Sequence, residues 1–147
     1  MTAVVLDTRA LEVLADRQAD PTASHRVRNM LAAAARVGVP VRVPTAVLSE
    51  AYRGEPADAA VDYVLRRGVR PITMGQAMAR LAGELRSRDR LDSCHTVDAF
   101  VVATSVRLGG GLVATGDPDD LRSLARDHPN VRVEPITARA RPRTRRP

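Results

Sequence analysis

HTVDAFVVATSVRLGGGLVATGDPDDL, residues 95–121, decides the fold. Residues 97–108 are apolar nearly all round, the mark of a buried helix, with Thr96 placed to cap it. The triple glycine 109–111 stops that helix. LVAT, 112–115, is short, apolar and β-branched enough for a buried strand. Pro118 suits the first turn of a further helix. Helix, strand and helix in this order form the unit of an α/β domain with a parallel sheet.

The alternation continues outward along the chain. TAVVL, 2–6, reads as a buried strand, followed by helical residues to about Ala15. A helix is expected over 22–37, ended at Gly38, and a strand over 39–44. Residues 45–53 and 57–67 read as helices, with Thr45 a candidate cap for the first. VRPI, 69–72, is a strand. Thr73 and Gln76 have capping-box spacing for a helix reaching Arg88. Residues 89–95 form a polar connection, and VRVEP, 131–135, is a last strand. The expected architecture is one α/β domain over 1–137, a central and mainly parallel sheet flanked by helices.

The charge of the chain is concentrated at one end. The 147 residues carry 23 basic groups, all Arg, and a net charge of +6. Residues 138–147, ARARPRTRRP, hold five Arg and no acid, so 1–137 carries 18 Arg against 17 acids. This Arg/Pro-rich segment reads as a disordered basic tail, open to RNA contact or to a plain solubilising role. Without Lys the chain has no Walker loop. An aromatic content of 2% argues against base-stacking platforms of the RRM or OB type. The lone Cys94 excludes an intrachain disulfide and fits a reducing cytoplasm. MTAVVLDTRALEV lacks the basic start of a signal peptide, and no apolar run approaches a membrane span.

Four acids stand at equivalent places along the chain. Asp7 follows the first strand, Glu50 lies one or two turns into a helix, Asp98 in the first turn of another, and Asp117 just beyond strand 112–115. In open α/β sheets ligands bind at the carboxyl ends of strands, so these carboxylates can converge. Clustered carboxylates repel unless a hard cation neutralises them, and Mg²⁺, or Mn²⁺, takes oxygen donors of this kind. Such a centre hydrolyses a phosphodiester through a metal-activated water and needs no histidine base.

Four blocks carry a resemblance to a known family. VVLDTRAL (4–11), VPTAVLSEAYRG (43–54), VDAFVVATSVRLGG (97–110) and LVATGDPDDLRSL (112–124) resemble, in order, the metal-acid segments of PIN-domain proteins of the VapC toxin ribonuclease type. The resemblance covers roughly residues 2–136. It implies Asp7, Glu50, Asp98 and Asp117 as metal ligands and catalytic acids, with Thr115 and Asp120 supporting them from behind. It also implies Mg²⁺-dependent cleavage of RNA, a homodimer, and a small antitoxin whose segment inserts near the active site. Three residues depart from the pattern. Arg9 stands where small residues are common, so its cation is placed either in the metal site or on substrate phosphate. Gly116 stands where Ser is common, and His95 where some relatives carry another acid.

Each residue also has a plainer reading. Asp7 and Asp117 are good helix N-caps, Asp120 has capping-box spacing to Asp117, and Asp98 complements a helix dipole. Glu50 fits a solvated helix face, Thr115 a strand end, and His95 a loop. The rival functions are a PIN-like module that binds RNA or an antitoxin without cutting, a housekeeping RNA or DNA nuclease, and a metal-dependent phosphatase on the same acids.

Overall fold

The computed structural model describes residues 2–137; the Arg/Pro-rich tail of 138–147 lies outside them. Five strands form one sheet: β1 (Val4–Leu6), β2 (Val41–Pro44), β3 (Val69–Ile72), β4 (Gly111–Thr115) and β5 (Val131–Pro135). Their order is β3-β2-β1-β4-β5, and every neighbouring pair is parallel. The helices are α1 (Thr8–Ala15), α2 (Pro21–Arg36), α3 (Thr45–Ala51), α4 (Asp58–Arg66), α5 (Gln76–Arg88), α6 (Thr96–Arg107) and α7 (Pro118–Leu124). The expected alternation holds in every element, with ends moved by a residue or two.

Crossovers carry the chain from β1 to β2 to β3 in one direction, and then from β3 to β4 to β5 on the other side of β1. The direction reverses at the β1–β4 pair, which is where an open parallel sheet leaves a crevice beyond its strand ends. Helix α1 covers β1 and β4 beside α2 and α4, while α6 packs on β1, β2, β4 and β5 beside α5 and α7. Val4, Val5, Leu6, Val113 and Ala114 are fully or almost fully buried, as strands covered on both faces must be. Helix α6 buries Ala99, Val101, Val102, Ala103, Thr104 and Ser105, so the all-round apolar pattern meant burial. Thr104 returns its hydroxyl to the Phe100 carbonyl at 2.7 Å.

Three helix starts differ from expectation. Gly75, not Thr73, precedes α5, and no side chain caps it. His95, not Thr96, occupies the cap position of α6, because a 3-10 turn over Ser93–His95 runs straight into that helix. Pro44 precedes α3, and Thr45 instead accepts the Met74 N–H at 3.3 Å. At α6 the 3-10 turn, and at α3 the end of β2, already directs the first helical residues.

The triple glycine does more than stop α6. Gly109 and Gly110 have φ of 87° and 95° and close the helix, with the Gly110 N–H on Ser105 O at 2.8 Å. Gly111 has φ of 135°, and a Cβ there would collide with the carbonyl of Ala3 on the neighbouring chain segment. The bare backbone lets β4 approach the start of β1. Replacing Gly111 by Ala combines strain at positive φ with a backbone clash, and is expected to cost about 3 kcal/mol or more. Urea denaturation of Gly111→Ala against wild type measures it; a loss below about 1 kcal/mol would mean β1 and β4 can separate freely at this end.

Candidate metal centre

Asp7 leaves β1 and becomes the N-cap of α1. It is 5% exposed. Its Oδ1 accepts the Ala10 N–H at 2.8 Å, and its Oδ2 accepts the Gly116 N–H at 3.0 Å, across the β1–β4 gap. The Thr115 hydroxyl lies beside the same carboxylate and draws its pKa down. Burial raises the Asp7 pKa, and these donors offset it only in part. Capping and site placement therefore coexist in one residue.

Asp98 projects from the first turn of α6. Burial, followed by the charges of Asp7, Asp117 and Asp120, pushes its pKa up to about 6, with His95 acting the other way. Asp117 makes no side-chain cap to α7; its backbone N–H goes to Thr115 Oγ1 at 2.8 Å instead. The capping box with Asp120 does not form, and the Asp117 carboxyl faces that of Asp120. Burial comes first among the causes that raise its pKa, followed by the hydrogen bond and charge of Asp120. One oxygen each from Asp98, Asp117 and Asp120 lies within 4.8 Å of the other two. Asp120, expected behind the ligands, thus stands level with them.

Asp7 sits outside this trio but is felt by it, since its charge raises both Asp98 and Asp117. Glu50 is also outside. It lies exposed on α3, and its Oε1 accepts the Thr8 hydroxyl at 2.7 Å. Thr8 is the residue that sequence reading overlooked. Its signal was adjacency: a hydroxyl directly after the strand-end acid points from the same turn.

Arg9 does not enter the carboxylate cluster, contrary to one expectation. Its guanidinium lies 3.8 Å from Glu12 and 3.7 Å from Asp20. Its stem lies over Gly116, where an added Cβ would stand 2.6 Å from Arg9 Cγ and 2.8 Å from Arg9 Cβ. The two departures are thus one: a large residue at 9 occupies the room a side chain at 116 would need. His95, 22% exposed, lies with Nδ1 3.3 Å from Asp92 Oδ1 and Nε2 3.5 Å from Asp120 Oδ2.

The donor set fits a hard divalent cation. Three carboxylate oxygens converge, and acids that resist ionisation because they are buried and crowd one another are relieved when a cation arrives.

A family model for the PIN domain matches residues 4–127. The chain belongs to the PIN domain family. Among solved structures, the PIN domain described here is similar to VapBC2 from Rickettsia felis bound to a promoter DNA fragment, at 17% identity and a TM-score of 0.67, over 91% of this chain and 98% of that one. It is also similar to DNA-bound VapBC from Salmonella typhimurium, at 16% identity and a TM-score of 0.60, over 93% and 100%. No curated protein sequence gives a significant match. At these identities the likeness establishes a shared fold.

Two measurements probe this geometry. An acid that titrates higher when folded adds stability at low pH and loses it as pH rises from its ordinary 3.8 through about 6. Without metal, Asp98→Asn is therefore expected to gain in melting temperature relative to wild type between pH 4 and 7, and a constant difference across that range would remove the crowding at Asp98. Gly116→Ser is expected to destabilise by about 1–3 kcal/mol through overpacking, with most of the loss recovered in the Arg9→Ser/Gly116→Ser double variant. A double variant no more stable than Gly116→Ser alone would clear the Arg9 stem of blame.

Proposed function

We propose that this PIN domain is a Mg²⁺-dependent endoribonuclease, with Mn²⁺ able to substitute, and the toxin of a toxin–antitoxin pair. The observation that carries the reading is the convergence of Asp98, Asp117 and Asp120 within 4.8 Å, at the strand ends where the sheet reverses direction. PIN domains are generally nucleases and typically depend on a divalent metal.

Asp98 and Asp117, with Asp120 level beside them, would hold the ion, and Asp7 and Glu50 complete the acidic set. A bound Mg²⁺ supplies Lewis-acid stabilisation of a phosphoryl group and lets water act as nucleophile at neutral pH. Asp7 is held in place by the Ala10 and Gly116 N–H groups, and its charge contributes to the potential felt by the outer acids. Thr115 orients both Asp7 and the backbone of Asp117. Asp120 lies beside Asp117 and His95 and steers the direction in which both face. Exposed Arg side chains around the domain hold the RNA backbone, a contact that salt weakens.

The partner we assign is a small antitoxin. Both solved neighbours are VapBC assemblies. A groove of about 510 Å³ between α1, α2 and α4, with Leu14, Leu31, Tyr63 and Val64 in its lining, has the apolar character to take a protein segment. A homodimer acting in the cytoplasm completes the reading. No described helix is long and apolar enough to cross a membrane.

Incubation of the purified protein with structured RNAs in Mg²⁺, Mn²⁺ or EDTA tests the proposal. Cleavage is expected with either metal and none with EDTA. Asp98→Asn and Asp7→Asn are expected to lose about 10²-fold or more, the equivalent of several kcal/mol of metal-derived stabilisation, while still folding. Cleavage that survives EDTA, or persists in both variants, would refute the metal mechanism. RNA binding without any cleavage would favour a non-cutting module.

A further inference from the structure

Between α5 and α6 lies a second group of donors, chemically unlike the carboxylate cluster. Asp92, Cys94 and His95 each place one donor atom within 4.8 Å of the other two. Cys94 Sγ is 3.2 Å from His95 Nδ1, and that nitrogen is 3.3 Å from Asp92 Oδ1. A tetrahedral ion with bonds of about 2.0–2.3 Å places neighbouring ligand atoms about 3.3–3.7 Å apart. The nitrogen–oxygen edge already has this length, and the sulfur–nitrogen edge needs only a small opening.

The orientation of His95 is an independent indication. Its far nitrogen, Nε2, faces Asp120 Oδ2 at 3.5 Å. A neutral imidazole carries a single N–H. In the tautomer with that hydrogen on Nε2, on the side of Asp120, the Nδ1 lone pair faces the sulfur and the Asp92 oxygen, and a cation binding there takes the place of the Cys94 thiol proton. Metal-bound histidines characteristically donate their other N–H to a carboxylate in this way. Asp92 and Cys94 are exposed, so an ion can enter from solvent and keep a water as its fourth ligand.

The geometry points to a second cation site formed by Asp92, Cys94 and His95, selective for a borderline-soft divalent ion of the Zn²⁺ type. One sulfur, one nitrogen and one oxygen suit Zn²⁺ and disfavour Mg²⁺, which demands oxygen donors. His95 joins the two centres, since an ion on Nδ1 fixes the ring whose other edge meets Asp120. Zn²⁺ at this turn therefore holds Asp120 in place against the trio. That last link rests on the proposed metal centre; the site itself does not.

Co²⁺ serves as the spectroscopic substitute for Zn²⁺. The full chain, kept reduced with a non-thiol reductant and supplied with excess Mg²⁺, is titrated with Co²⁺. The expected result is a near-ultraviolet sulfur-to-cobalt charge-transfer band that saturates at one equivalent and is displaced by Zn²⁺. Cys94→Ser abolishes the band, and Asp92→Asn and His95→Ala each weaken affinity at least about tenfold. Asp98→Asn leaves it intact, and Asp120→Asn weakens binding about 10–100-fold, as loss of the partner of a metal-bound histidine does. No band in wild type would overturn the proposal, as would equal affinity in Asp92→Asn and His95→Ala, which would mean a bare thiol. Loss of the band in Asp98→Asn would assign the ion to the carboxylate centre. Unchanged binding in Asp120→Asn would overturn the link between the two sites. No readout involves RNA, so failure here and failure of the nuclease reading are separately visible.

Discussion

The carboxylate of Asp7, lying across the gap between β1 and β4, is the contact on which the rest of the centre depends. The sheet reverses direction at this pair, so no crossover helix ties the two strand ends together locally. Asp7 supplies the tie through the Gly116 N–H on one side and the Ala10 N–H on the other. A buried carboxylate is costly unless it is hydrogen-bonded, and here a backbone donor meets each of its oxygens. The outer acids then collect near it, and burial first, with the charges of their neighbours including Asp7 adding to it, drives Asp98 and Asp117 upward in pKa. Rigidity of the first acid and crowding of the others are two effects of one placement.

Most of the fold was legible because its signals were local and redundant. The β3 bounds over Val69–Ile72 and the β5 bounds over Val131–Pro135 follow directly from short β-branched runs between breakers. Helix α6 could be placed inside because its apolar residues left no polar face. Helix starts were less legible. A Thr before a helix is a cap only if nothing else already positions that turn, and at Thr96 the preceding 3-10 turn did so. Sequence spacing contains no information about that competition.

The site was legible at the level of which strand ends carry acids, and less so at the level of which carboxylates meet. Asp117 and Asp120 share one helical turn, and spacing alone allowed either a capping box or a shared cluster. The choice was made by Thr115, whose hydroxyl took the Asp117 N–H. Glu50 was placed near the first acid, but its bond runs to Thr8, a detail set by side-chain direction on α3. Arg9 and Gly116 looked like separate oddities because they are far apart in sequence. Only the packing of the Arg9 stem onto the bare Gly116 backbone makes them a matched pair.

The Thr115 hydroxyl oxygen accepts from the Asp117 backbone, and the same hydroxyl lies beside Asp7 and draws its pKa down. A chain of polarised groups thus runs from a peptide group of one strand end to the buried acid of its neighbour. Serine can reproduce that relay; valine, of nearly the same shape, cannot. In the language of pattern searching, the informative signature at this strand end is therefore a hydroxyl two places before the acid. A strand residue of suitable size would not serve, and the residue between hydroxyl and acid is free to vary with whatever side chain packs over it from the first helix.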